Sequence, residues 1–269
     1  MNGVSDTQPV AEGHHATGPC LLEPVSNETA HQRAASVAQA LATRRDIELL
    51  IAETGGDTSI GMDGSLPESH RERYCSETST VEDSRALDPV VSEYGPSAVV
   101  LKRRTEQHLI DELFSDRAER IARDADVLTV DGRADADRIA SILVPVAGGR
   151  HSQLAVETAV ALGQANDAAV DLFHVIEADT DEARADGEQL LSEVTEGIDP
   201  AERDRIDTWL YETPGAPEAI TEQSSYYDLT VMGAPTDSPL KRFVFGSTSK
   251  QVQKEAGSSV IVAHAQHSQ

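Results

Sequence analysis

Residues Leu21–Leu41 (LLEPVSNETAHQRAASVAQAL) lie on Ile142–Leu162 (ILVPVAGGRHSQLAVETAVAL) at a constant shift of 121, without a gap. Pro24 falls on Pro145, Val25 on Val146, Ala34 on Ala155, Ala38 on Ala159 and Leu41 on Leu162. The parallel continues in order. IELLIAE (Ile47–Glu53) matches VDLFHVI (Val170–Ile176), and AVVLK (Ala98–Lys102) matches LTVMG (Leu229–Gly233) at a shift of 131. At that shift Phe114 falls on Phe245 and Ser115 on Gly246. A chain that repeats one unit is expected to build that unit twice.

The unit is set by its periodicity. Short apolar runs such as SILVPV and SAVVL, bounded by turn residues, are expected of parallel strands covered on both faces. They alternate with helical patterns, which predicts βαβ units with right-handed crossovers. In the second half the spacing predicts helices over Asp181–Glu196 and Ala216–Gln223. Pro214-Gly215-Ala216-Pro217 forms a turn and places Pro217 in the first turn of the last of these. Asp207–Glu212 is expected as the middle strand. Asp126–Val130 and Ser258–His264 are expected as the last strands of their halves, meeting where the halves join. The fold expected is α/β: two tandem, doubly wound, parallel five-stranded sheets related by a pseudo-two-fold axis. Residues 1–18 read as a disordered tail, 19–132 as the first domain and 138–266 as the second. Asp131–Asp137 is the polar linker. Thr54–Ser79 is rich in Gly, Ser and charge, without period, and reads as an insertion.

The formal charge is −25 over 269 residues, with 47 acidic residues against 22 basic ones. The acid is spread over both halves. A diffuse acidic surface argues against nucleic acid and anionic membranes, which need a basic face. Dispersed acid with little Lys fits a salt-rich cytoplasm, where ions screen self-repulsion. Cys20 and Cys75 have no metal or disulfide spacing, and the nine His pair with no carboxylate or Cys at ligand spacing. No apolar run approaches the roughly 20 residues of a membrane span, and the first residues lack a signal-peptide core. The expectation is a cytoplasmic chain.

The segment Asp228–Val252 carries the candidate ligand chemistry. A strand over Leu229–Met232 stops at Gly233. Gly246 follows 13 residues later, with Ser247, Thr248 and Ser249 opening a helix. Glycine lets an anion approach the backbone, and free amides of a first helical turn point at it. A plain helix cap would use the same residues. The pattern resembles the G-x2-G-x9-G-[ST] motif of nucleotide-binding universal stress protein domains. Gly233, Gly246 and Ser247 take the motif positions, and Thr236 stands at the second Gly. SILVPVAGG, the helix His151–Leu162, VDLFHVIEA and SSVIVAH are similar to other elements of that family, and the resemblance spans roughly Ile139–His264.

The resemblance implies ATP or another adenine nucleotide as ligand. The groups around adenine, ribose and phosphates would be Pro145, Ala147, Val175, Met232, Gly233, Thr236, Gly246, Ser247 and Thr248. Ala147 stands where the family usually carries an Asp, which removes a polar partner worth about 1–3 kcal/mol. Lys241 and Arg242 lie in the same loop. In the first half Lys102, Thr105, Ser115 and Asp116 replace the motif, and a carboxylate at a helix start repels phosphate. The first half is therefore read as degenerate, without a nucleotide site. Nothing supplies a nucleophile held by a base. Asp171 and His174 point to opposite faces of one strand, so no catalytic residue is assigned.

The resemblance implies a universal-stress-type sensor or regulator, a tandem chain whose halves form an intramolecular pseudo-dimer and which is also open to homodimerisation. A second reading is a ligand-free interaction domain partnering a membrane transporter. SILVPVAGGRHS is similar to the universal-stress-type domains that follow transporter membrane regions in salt-loving archaea.

The charge generates the first prediction. Self-repulsion at −25 is severe in dilute buffer. The melting temperature should climb steadily from dilute buffer into molar KCl. A melting temperature flat or falling with salt would remove the halophilic reading.

Overall fold

A computed structural model describes residues 18–23, 28–54, 73–77, 87–103, 117–131, 138–234 and 259–267. Its strands are β1 Cys20–Leu22, β2 Leu49–Thr54, β3 Arg73–Glu77, β4 Ala98–Arg103, β5 Asp126–Asp131, β6 Ser141–Pro145, β7 Ala169–Ile176, β8 Ile206–Glu212, β9 Leu229–Gly233 and β10 Ser259–His264. Its helices are α1 Glu28–Arg45, α2 Asp88–Tyr94, α3 Gly149–Asn166, α4 Asp181–Glu196, α5 Pro200–Arg203 and α6 Ala216–Ser224. A further helical turn covers 117–121.

All ten strands form one sheet, in the order β3-β2-β1-β4-β5-β10-β9-β6-β7-β8. The expectation of two sheets is thus corrected to one continuous sheet. Each half contributes five strands in the same order: third, second, first, fourth, fifth. Pairing is parallel throughout each half. The two fifth strands pair antiparallel, with Val127 against His264, Leu128 against Ala263, Thr129 against Val262 and Val130 against Ile261.

The sheet is covered on both faces, as apolar β-runs require. One face carries a single core that runs across both halves. It joins Leu22, Ala38, Leu41 and Val100 to Val144, Ala155, Ala159, Leu162 and Ile261. The small residues of α1 and α3 let these helices pack against each other on that face. The opposite face carries two separate clusters. Leu21, Val99, Leu101 and Val127 pack with α2 and the 117–121 turn, and Leu143, Phe173, Met232 and Val262 pack with Ile220 of α6.

Local chemistry fixes the ends. Thr180 Oγ accepts from the Ala183 amide at 3.1 Å, and Asp181 and Glu182 sit in the first turn of α4, which suits the helix dipole. Asp46 and Asp167 both follow their helices with a left-handed backbone, φ 53° and 55°, a conformation that Asp tolerates. At the amino end of β6, Asp228 Oδ2 accepts from the amides of Ala140 (2.8 Å) and Ser141 (3.0 Å), tying β9 to β6.

The strands and helices lie close to their expected places, with two corrections. First, β3 runs through Arg73–Glu77, inside the segment read as an insertion. Second, the shift of 121 holds for α1 on α3, including the two left-handed Asp caps, but not for β1 on β6. At 121, Leu21 would match Ile142, yet Leu21 faces the α2 side and Ile142 the α3 side. Cys20 pairs with Ala98 and Ile142 with Leu229, which places β1 on β6 at a shift of 122. Glu23, not Pro24, is therefore the counterpart of Pro145. A one-residue slip exchanges the faces of a strand. The tail expected over residues 1–18 lies outside the described residues except for Gly18, and most of the linker does too.

Charge pairs stitch the halves together beneath α1 and α3. Arg45, at the end of α1, grips Glu157 of α3 with two bonds (Nε to Oε1 2.8 Å, Nη2 to Oε2 2.7 Å) and reaches Asp126 of β5 at 2.7 Å. Asp126 Oδ1 also accepts from the Gln266 amide at 2.8 Å, and Arg44 bonds Glu202 of α5 at 2.6 Å. Burial opposes the charge of Arg45, but the bonds and charges of Glu157 and Asp126 outweigh it and raise the pKa. Cys20 lies beneath, fully buried, and burial pushes its thiol up to about 12, with Arg45 opposing.

Replacing Arg45 by Met should leave the two carboxylates facing each other without the guanidinium between them. Because both keep some solvent, the expected loss is about 2–3 kcal/mol, below that of a fully buried pair. Chemical denaturation would measure it. Adding Glu157→Met should restore part of the loss, whereas a loss under about 0.5 kcal/mol would mean that the pair behaves as an exposed one.

Candidate functional site

Open parallel sheets offer ligands the carboxyl ends of their strands, where the strand order reverses. In the second half this point lies between β6 and β9. β6 ends at Pro145, in register with Phe173 of β7. The chain turns through Val146, Ala147 and Gly148 into α3. Gly148 (φ 82°, ψ 174°) adopts a backbone that only glycine adopts readily, and Gly149 follows at φ 75°. The Val146 amide donates to the Phe173 carbonyl at 2.8 Å, and the Ala147 amide to Ser152 Oγ at 3.2 Å. These bonds hold the turn, while Ala147 and Gly149 remain exposed.

His174 closes one side. Its Nδ1 lies 2.7 Å from the Val146 carbonyl, so the proton sits on Nδ1. Its ring packs against Gly187 of α4, where a Cβ would meet Leu210 at 2.7 Å and His174 at 3.1 Å. His174 therefore orients the turn. Asp171 lies on the opposite face of β7, near Tyr227, whose phenol is raised by burial first and then by its bond to Asp171.

Gly233 closes the other side. A Cβ there would stand 2.8 Å from the His151 carbonyl carbon and 2.9 Å from the Ser152 nitrogen, below any normal contact. Glycine is thus required because the end of β9 abuts the first turn of α3. Packing, not only an approaching ligand, explains this residue. His151 Nδ1 accepts from the Ala265 amide at 2.9 Å, and its ring meets His264 edge-on at 6.3 Å. Its pKa is lowered by burial first, then by His267 and Arg150, with Asp126 opposing.

Of the residues expected at the site, Pro145, Ala147, Val175, Met232 and Gly233 gather at this end of the sheet. The Met232 side chain is buried in the α6 cluster, and Val175 packs against the same cluster. Only the backbone of Met232 faces the strand ends. Thr236, Lys241, Arg242, Gly246, Ser247 and Thr248 lie outside the described residues, as do Thr105, Ser115 and Asp116 of the first half. Lys102 lies in β4.

The first half holds a feature that sequence reading missed. Glu23, the counterpart of Pro145, donates its amide to Val100 of β4 at 3.0 Å. Its carboxylate bonds Arg117 Nη1 at 2.8 Å, and the Arg117 side chain is 7% exposed. An ion pair therefore stands at the first half's own switch point. The signal was available only as Arg117 falling at the position of Thr248 at a shift of 131. Among the described residues, no group of three or more His, Cys, Asp or Glu is placed to hold a metal ion, and no helix is long and apolar enough to cross a membrane.

The comparisons agree with this architecture. Over 91% of this chain and 96% of the other, the fold resembles a universal stress protein from Archaeoglobus fulgidus DSM 4304, at 16% identity and a TM-score of 0.56. Over 93% of this chain and 96% of the other, it resembles the cytoplasmic domain of a prokaryotic cation chloride cotransporter, also at 16% identity and 0.56. At such identities the likeness is one of fold. No curated protein matches the chain significantly. Residues 139–264 match the model of the Universal stress protein family, and this second half, with its strand ends, glycine turn and Gly233, is a universal stress protein family domain.

Proposed function

We propose that this chain is a tandem universal-stress-type regulator of the cytoplasm, without catalytic turnover, whose second half takes an adenine nucleotide weakly. The halves, residues 19–132 and 138–266, are related by an approximate two-fold axis through the β5–β10 pair. The observation that carries the reading is the asymmetry of the two switch points. The turn over Ala147–Gly149 presents exposed backbone at the ends of β6 and β9. The matching place in the first half is filled by the buried Glu23–Arg117 pair. Among the described residues, one half is thus open to a ligand and the other is closed by its own side chains. Bound nucleotide would bias the conformation or partner choice of the whole sheet.

The likeness to a cotransporter's cytoplasmic domain, which covers both halves, favours a second reading: a ligand-free domain that partners a membrane transporter. Calorimetry in molar KCl separates the two. ATP, ADP or AMP should bind at micromolar affinity or weaker. Ala147→Asp should tighten binding about tenfold by restoring a polar partner at an exposed position. Gly246→Asp should abolish it, because a carboxylate would stand where the phosphate is expected. Ser115→Asp in the first half should change nothing. If no heat appears at millimolar nucleotide and Ala147→Asp does not rescue it, the sensor reading fails and the partner-domain reading replaces it.

A further inference from the structure

β8 is one of the two outer strands of the sheet, and among the described residues nothing pairs with its free side. The Val170 amide bonds the Arg205 carbonyl at 2.9 Å, and the Thr213 amide bonds Ile176 at 3.0 Å. The odd-numbered residues therefore turn their backbone groups to β7. Ile206, Thr208, Leu210 and Glu212 turn theirs outward. Such a row of donors and acceptors is a template for another strand.

The side chains along this edge are unusual for the chain. Only ten residues in all are Phe, Trp or Tyr. Four of them, Phe173, Trp209, Tyr211 and Tyr227, gather on the α6 face of β7 and β8. Phe173 stacks on Trp209 at 5.0 Å, and Trp209 meets Tyr211 edge-on at 5.8 Å. Tyr226, next in line, is 72% exposed. Carboxylates surround them. Asp207, on the same face, is exposed near the start of the strand, and Glu222 of α6 accepts from the Tyr211 hydroxyl at 3.3 Å; Glu212, exposed at the other end, lies on the α4 face. Asp171 and Asp207 both help to raise the Tyr227 phenol, after burial, so the field at this face is negative. Arg205, at the start of the strand, is engaged by Asp167.

We propose that the β8 edge is a docking site for an extended, cationic segment of a partner protein, added as a further strand. Its backbone would pair with Thr208 and Leu210. Its Lys or Arg side chains would lie over Trp209 and Tyr211 and near Asp207 and Glu222, where aromatic faces and carboxylates both attract cations. The charge pattern selects this occupant over a second copy of the chain. Two β8 strands paired antiparallel about Trp209 would set Asp207 of each opposite Tyr211 of the other and Glu212 opposite Ile206, so neither carboxylate would directly oppose a cation. Each copy also brings −25 overall, which opposes the approach of a second.

Trp209 is the sole tryptophan, so its emission reports on this edge alone. The probe is a short synthetic peptide alternating lysine and valine, compared with one alternating glutamate and valine, in buffer with enough KCl to keep the chain folded. The lysine peptide should change Trp209 emission saturably and the glutamate peptide should not. Asp207→Lys with Glu222→Lys should weaken the response at least about tenfold. The same charge change at Glu182 and Asp186, exposed on α4, should leave it within about twofold, because those sites contribute only to the general field. Thr208→Pro, which removes an outward amide, should also weaken it, with an unchanged melting temperature confirming the fold. No response to the lysine peptide, or equal weakening by both charge reversals, overturns the proposal. So does a dimer in sedimentation that Thr208→Pro dissociates, since the occupant would then be a second copy.

Discussion

Four residue pairs, from Val127–His264 to Val130–Ile261, turn two five-stranded layers into one sheet. Every other strand pairing among the described residues is parallel and local to its half. This one is antiparallel and joins the halves. Without it, β5 and β10 would both present open edges. With it, α1 and α3 come to the same face and share a core, and Arg45 is brought within reach of both Glu157 and Asp126. The guanidinium sits where a purely apolar seam would have no directional preference. Burying it among two carboxylates offsets its desolvation and fixes how α1 lies along α3.

The same backbone plan has been put to two uses. In the second half the turn after β6 is glycine-rich, its amides are held by Ser152 and Phe173, and its outer surface is bare. In the first half a Glu–Arg pair occupies the corresponding ground. Gly233 shows how packing and ligand arguments can converge on one residue. A glycine is needed there whether or not a ligand binds, because the backbone of α3 is already too close. Its presence in a motif is therefore weaker support for nucleotide than the exposed Ala147 turn beside it.

Much of this was legible in the sequence because it rests on periodicity. Helix α4 was expected over the same residues that it occupies, and β8, β9 and β10 were placed within a residue. The misses have physical causes. β3 (RYCSE) pairs on one side only, so it lacks the apolar run by which a central strand announces itself. The offset of one residue at β1 arose because paired prolines and valines aligned Pro24–Val25 with Pro145–Val146, whereas the faces of Leu21 and Ile142 contradict that register. The Glu23–Arg117 pair joins residues far apart in the chain, and no local pattern signals such a contact. Several residues on which the nucleotide motif depends, from Thr236 to Thr248, lie outside the described part of the molecule.

The seam also sets a schedule. β5 is made early, but its partner strand lies at 259–264. At ordinary synthesis rates the interval is on the order of ten seconds. Throughout that time a nascent chain would display an apolar strand edge, LTV, with nothing beside it. Pairings this distant in sequence also carry a high loop-closure cost and close slowly. The dense acid of the surrounding surface acquires a further use in this light, since mutual repulsion keeps two half-made chains from lending each other the missing strand.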